Sequence, residues 1–312
     1  MGLQHQSPCA ASAWRRAACR TAFTGVVVVA ALCTLPTEAQ QLTGTLKKIK
    51  DSGTITIGYR ENSFPFSYRD KTGQPVGYSI DLCLAVVDEV RVELENDNIK
   101  VAYVPVTPAN RIEKVIDGTV DIECGSTTNN IERQRQVAFS PVFFISGTKL
   151  LVRRSSNIKS YRDLRGRIVV VTEGTTNEKA LKLLSDREKL EIKFVTAPDH
   201  AESFRKLAAG EAHAFATDDV LLYGFVAKAP RPADYAVVGD YLSYDPYGLM
   251  FRRDDPDFAA VVLRTFQSMA ASRDLADLYD KWFTRRLRSG ELLGLGMSPQ
   301  LRTIFEVLGQ PE

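Results

Sequence analysis

The string ECGSTTNNIERQ, residues 123–134, gathers small hydroxyl side chains, exposed backbone amides and one arginine where a strand gives way to a helix. Val120, Ile122 and Cys124 alternate as a strand, and Asn129-Asn130-Ile131-Glu132 has the form of a capped helix start. Amides at a helix start lack intrahelical partners and carry the positive end of the dipole, so the junction is chemistry for a carboxylate or phosphate. Arg133 adds a planar fork of donors that suits a carboxylate bidentately. Taken alone, the string also fits a capped surface helix with a solvated arginine, so the elements around it must decide.

Residues 1–39 read as an address. Arg15, Arg16 and Arg20 precede the apolar run 24–35, and Thr37-Glu38-Ala39 supplies small residues around a cleavage point, the pattern of a secretory signal peptide. A twin-arginine route or a lipid on Cys33 fits less well, because Ala17-Ala18-Cys19 and Leu32 stand where those signals want other residues. No later stretch approaches the roughly 18 apolar residues of a membrane span, so a soluble, exported protein of the periplasm is expected. Of 40 basic and 38 acidic residues, the leader holds three arginines and one glutamate, so the mature balance is 37 against 37. That balance gives no reason to expect nucleic acid as a partner. Two of five cysteines remain, Cys83 and Cys124, and they read equally as one disulfide or as two buried thiols.

Beyond the leader, β-rich runs alternate with helical patterns, which predicts α/β layers with mainly parallel sheets. Strands are expected at 54–58, 101–106 and 120–124, with Ile80, Cys83, Val87, Val90 and Leu94 at helical spacing between the first two. The pattern restarts with a strand at 167–172, a turn at 173–176, a helix at 204–209 and a strand at 212–217. Placing Gly210 on Gly118 puts Asp218 on Ser126, so two similar lobes would each carry polar side chains at a strand end. Ligands lie beyond such strand ends, so the lobes would enclose a cleft. The extended apolar runs 143–152 and 240–251 suit two strands crossing between lobes. The expected division is 40–145 plus 246–312 for the first lobe and 146–245 for the second, with Trp282 and Phe283 returning to the first lobe's core.

Several strings now resemble the periplasmic solute-binding proteins of polar amino-acid ABC transporters, in particular their glutamate/aspartate-binding group. They are GYRENSFPFSY (58–68), GQPVGYSIDL (73–82), NRIEKVIDGTVDIECGSTTNNIERQ (110–134), VVTEGTTNE (170–178), DHAESF (199–204), AFATDD (214–219) and YGLMFRRDDP (247–256). The resemblance implies a type II two-lobe fold that closes on one amino acid, and a partner permease in the membrane. It also implies roles. Arg133 and Thr128 resemble the receptor for the α-carboxylate, and Asp218 the acceptor for the α-ammonium. Arg60, Arg111, Ser126 and His200 resemble the set around the side-chain carboxylate, and Thr176 supplies hydroxyl and amide donors from the second lobe. Three arginines against Asp218 leave surplus positive charge for an anionic ligand. No cofactor and no metal site is expected, and a monomer is.

Competing readings exist for single residues: Arg60 as a surface partner of Glu61, Asp219 in place of Asp218, Phe64 and Phe66 as cleft walls or as core. Pro108 stands where the resembling proteins suggest a serine, which removes a hydroxyl and an N–H donor near the side-chain end. An enzyme reading, dehydration of a cyclic carboxylate, needs a general acid in the cleft, and Glu173 is its candidate. A sensory module for a membrane kinase would need a separate partner.

Overall fold

The computed structural model describes residues 42–311; the signal peptide read over residues 1–39 lies outside them. The strands that carry the architecture are β1 (Thr54–Tyr59), β2 (Lys100–Pro105), β3 (Ile122–Cys124), β4 (Val137–Phe139), β5 (Phe144–Ser146) and β6 (Thr148–Arg153). They continue as β7 (Ile168–Thr172), β8 (Lys193–Ala197), β9 (Ala214–Asp218), β10 (Tyr235–Val238), β11 (Asp245–Tyr247) and β12 (Met250–Arg252). Alternation sets β1: Ile55 and Ile57 are fully buried while the threonines beside them are half-buried. In β7 the run Val169-Val170-Val171 is buried on both faces, as a central parallel strand must be.

Two five-stranded sheets result, ordered β2-β1-β3-β12-β4 and β8-β7-β9-β6-β10. In each, three neighbours are parallel, β2-β1-β3 and β8-β7-β9. The other pairings are antiparallel, so each sheet is mixed, with three parallel neighbours and one strand running against them. The cause is the crossing chain. The run from β5 to β6 leaves the first sheet for the second, and β11 to β12 brings it back, so each sheet receives one strand from the opposite direction. Gly147 and Gly248 break the two crossings, and β5 pairs with β11 at the crossing point.

Parallel neighbours need crossovers, here the helices Tyr78–Glu93, Arg111–Ile116, Thr176–Glu188 and His200–Ala209. The last begins four residues earlier than its apolar pattern predicts, because Asp199 caps it by accepting from the Glu202 amide at 2.8 Å. Parallel strands also end at the same edge of their sheet. β1, β3, β7 and β9 therefore deliver Arg60, Ser126, the turn at 173–176 and Asp218 from their carboxyl ends.

The tail returns to the first sheet as expected: Leu275, Tyr279, Trp282 and Phe283 are buried in the same core as Tyr78 and Phe66. Phe66 packs at 5.0 Å from both Phe144 and Tyr247, and Phe144 at 4.7 Å from Phe283. Phe66 is therefore core and not a cleft wall, and Phe64 packs on Tyr68 at 5.1 Å. Cys83, on the helix Tyr78–Glu93, is joined by a disulfide to Cys124 at the end of β3.

Candidate functional site

The motif of residues 123–134 is held by main-chain bonds to the returning strand. The Asn129 amide donates to Pro246 O at 2.7 Å, the Gly248 amide to Thr127 O at 3.1 Å, and Thr128 bridges to Tyr247. This ties β3's exit to the crossing point, so the motif faces the second sheet. The helix after it, Ile131–Gln134, is only four residues long, and its Arg133 amide is capped by Asn130 Oδ1 at 2.9 Å. Two amides that the sequence offers to an anion, those of Asn129 and Arg133, are thus used internally. A helix this short also contributes little dipole, so anion affinity rests on side chains.

Those side chains converge. Arg60, Arg111, Ser126, Thr128, Arg133, His200 and Asp218 are all buried, and Thr176 is half-buried. Thr128, Arg133 and Thr176 line a cavity of about 490 Å³ together with Asn130, Gly174 and Asp245. Arg60, Arg111, Ser126, His200 and Asp218 are buried but not in its lining. Arg133 Nη1 donates to Thr128 O at 2.9 Å and Nη2 to Gly174 O at 3.5 Å, reaching from the first sheet's motif to the second sheet's turn. Thr128 Oγ1 lies 3.2 Å from Thr176 Oγ1 across the same gap. On the rim Lys179 pairs with Glu132. The gap between the sheets is therefore closed around these residues.

Burial governs the electrostatics. It lowers Arg60 to about 9 and, with Arg111 next in weight for both, Arg133 to about 9. Arg111 is lowered by burial against the opposing pull of Glu123. Arg60 Nη1 and Arg111 Nε are buried donors without a hydrogen-bond partner among the described residues. Unfilled donors on buried cations are costly unless something accepts from them. Arg60 does not pair with Glu61, which bonds Arg69 at 2.7 Å on the surface. His200 is held well below its usual range by burial, then by Arg60 and Arg111, so the ring is neutral. Its Nδ1 lies 2.8 Å from Thr172 Oγ1, which lies 2.8 Å from Ser203 Oγ, and Ser203 donates to Asp199 O at 3.0 Å.

Asp218 is the buried carboxyl at the end of β9, bonded by Tyr247 OH and by Asn177 Nδ2 at 2.9 Å. Asp219, its competitor in the sequence, faces Ser146 Oγ at 2.7 Å and Tyr241 OH at 2.6 Å instead. Burial, then Asp245, raises Asp218 to about 7. An acid raised this way supports the folded state fully below its unfolded value near 4, and the support is lost as pH rises through about 7. Ligand-free wild type should therefore lose several degrees of melting temperature relative to Asp218→Asn between about pH 5 and pH 8. Parallel melting curves for the two proteins over that range would contradict the assignment.

Two site carboxylates escaped the sequence reading. Glu123 is fully buried on β3, its Oε2 accepting from Thr127 Oγ1 at 2.6 Å, and Thr127 Oγ1 in turn accepts from Arg111 Nη1 at 2.5 Å. Asp245 Oδ1 accepts from Thr128 Oγ1 at 3.0 Å and Thr176 Oγ1 at 2.9 Å. The signal available was an acid flanked by apolar residues inside each extended run, Glu123 beside Asp121 in 120–124 and Asp245 beside Asp240 in 240–251. Three guanidiniums thus face Glu123, Asp218 and Asp245, and the positive surplus read from the sequence is largely cancelled within the protein.

Two α/β lobes joined by two crossing strands, with buried ionic groups at their facing strand ends, define a protein that encloses a small polar solute. The chain belongs to the bacterial extracellular solute-binding proteins, family 3, whose model matches residues 55–285. It is 48% identical over 280 residues to the L-glutamate/L-aspartate-binding protein of Pseudomonas aeruginosa, covering 89% of this chain and 93% of that protein. It is 39% identical over 287 residues to the glutamate/aspartate import solute-binding protein of Escherichia coli, covering 92% and 95%. Among solved structures, an ancestral arginine-binding protein bound to arginine matches with a TM-score of 0.67 at 27% identity, over 74% of this chain and 98% of that one. An ancestral amino acid-binding protein described as a precursor of cyclohexadienyl dehydratase matches with a TM-score of 0.66 at 31% identity, over 77% and 99%.

Proposed function

We propose that this chain captures an acidic amino acid, L-glutamate or L-aspartate, outside the cytoplasmic membrane and delivers it to the permease of an ABC importer. The observation that carries the reading is the cluster of three buried guanidiniums, two of which hold unfilled donors, Arg60 Nη1 and Arg111 Nε. A second carboxylate on the ligand supplies the acceptors they lack, whereas a neutral side chain leaves them orphaned. In this reading Arg60 and Arg111, with Ser126 and His200 beside them, hold the side-chain carboxylate. Arg133 and Thr128 hold the α-carboxylate, with Thr176 adding donors from the second lobe, and Asp218 holds the α-ammonium. Residues 40–145 and 246–312 move as one lobe and 146–245 as the other, the protein acting as a monomer exported to the periplasm. The relatives named for glutamate and aspartate support the same ligand class.

The dehydratase reading loses its basis in Glu173, which is exposed and outside the cavity lining. A general acid must sit within reach of the bound substrate.

Closure has a structural requirement at Gly174. Its φ is +72°, and a Cβ there would meet Ala109 Cα at 2.9 Å and Pro108 C at 3.0 Å, both main-chain atoms. Gly174→Ala should hold the lobes ajar and speed ligand dissociation about tenfold or more. Stopped-flow release at the wild-type rate would argue that this contact is not part of closure. The ligand class is tested by purifying the protein from its native compartment and identifying the small molecule released on denaturation. An acidic amino acid supports the proposal; a different solute in stoichiometric amount overturns it.

A further inference from the structure

Asp245 sits on β11, where the chain crosses between lobes, and it is 2% exposed. Its Oδ1 accepts from a hydroxyl of each lobe, Thr128 Oγ1 at 3.0 Å and Thr176 Oγ1 at 2.9 Å, while Ser243 Oγ donates to Oδ2. A threonine hydroxyl carries one proton and two acceptor lone pairs. With both protons directed at Asp245, neither hydroxyl has one left to give. The 3.2 Å approach of the two oxygens does not change this, since a proton shared between them is also spent. What the Thr128 and Thr176 hydroxyls turn toward the cavity that these residues line is acceptor capacity alone. The Asp218 carboxyl lies close enough for Asp245 to act on it electrostatically. Arg133, by contrast, uses two of its five N–H donors on carbonyls, one of them at 3.5 Å, so the rest of its fork is free to turn to an anion.

We infer that Asp245 is a positioning residue that fixes the direction of the Thr128 and Thr176 hydroxyls, making them acceptors for the ligand's α-ammonium and leaving the α-carboxylate to Arg133. The inference rests on the amino-acid reading above and reassigns the two threonines within it. Selectivity for an amino acid over the corresponding plain dicarboxylate then arises at this crossing point as well as at Asp218.

The test compares L-glutamate with glutarate, which has the same two carboxylates and no ammonium, on ligand-stripped wild type and Asp245→Asn. Asparagine keeps the side-chain shape but removes the charge and offers donors to the threonines, which turns their protons outward. The variant should bind L-glutamate about tenfold or more weakly while glutarate binds as well as before or better. The pH profile gives a second readout that a merely structural role would not move. Asp218 is faced by Asp245 and Tyr247 from β11, by Asp219 from its own edge, by Asn177, and from the first lobe by Arg111 and Arg133. Removing the Asp245 charge should move the acid limb of L-glutamate binding to lower pH. Asp245→Ser, which is smaller and uncharged, repeats the comparison if the asparagine variant does not fold. Equal loss for both ligands, or no change for either, overturns the inference while the amino-acid reading stands. Wild type that binds neither ligand overturns the amino-acid reading, and the inference with it.

Discussion

Arg133→Ala should weaken L-glutamate binding at least about a hundredfold while leaving the ligand-free protein folded. Arg133 is 7% exposed and lines the cavity, and its guanidinium spans from the motif carbonyl of Thr128 to Gly174 O of the facing lobe. Truncating one partner of a buried charge pair costs about 2–5 kcal/mol, and a hundredfold loss corresponds to about 2.7 kcal/mol. The fold should tolerate the change because the short helix keeps its cap, made by Asn130 to the residue 133 amide. Burial already holds this arginine down to about 9, so its removal relieves a desolvation cost in the empty protein. Arg133→Lys keeps the charge but loses the planar fork, and should recover less than a tenth of wild-type affinity. Fluorescence or calorimetric titration that found either variant binding like wild type would remove Arg133 from the site.

Replacing Cys83 and Cys124 together by serine should have the largest effect on stability. The bond joins positions 41 residues apart, for which loop-closure entropy predicts roughly 4 kcal/mol. In a chain of this size that corresponds to a fall on the order of 10 °C in melting temperature. The bridge ties the helix Tyr78–Glu93 to the end of β3, where Tyr59 of β1 is the register partner of Cys124. It therefore braces the two strand ends that deliver Arg60 and Ser126, and a weaker ligand response should accompany the lower stability. Nonreducing peptide mapping of the exported protein that found both thiols free would contradict the premise, and a double variant melting within about 2 °C of wild type would contradict the magnitude.

Local order was legible wherever a pattern repeats. The alternation of β1, the continuous apolar β7 and the helical spacing of Val87 and Val90 all report burial directly, and each appears where the sequence places it. The crossing strands were legible too, as the two extended apolar runs 143–152 and 240–251. The antiparallel entry of β6 and β12 was not, because strand direction within a sheet depends on which lobe the chain comes from. Side chains at strand ends and helix starts could be selected one at a time, and Arg60, Arg111, His200 and Asp218 are all buried. Glu123 and Asp245 were missed for a physical reason. Each is an acid embedded in an apolar strand, and its meaning comes only from partners far along the chain, Arg60 and Arg111 for the first and Thr128 and Thr176 for the second. The amides of Asn129 and Arg133 looked free for the same reason, since their acceptors become visible only once the returning strand and the Asn130 cap are in place.

The central claim, that these buried guanidiniums enclose an acidic amino acid, is tested most directly by isothermal titration calorimetry on protein freed of endogenous ligand by unfolding and refolding. L-glutamate or L-aspartate should give saturable heat at one site per chain, with a dissociation constant in the micromolar range or below, while L-glutamine, which lacks the second carboxylate, binds at least about tenfold more weakly. No heat with either acidic amino acid, or binding of L-glutamine as tight as that of L-glutamate, would contradict the account.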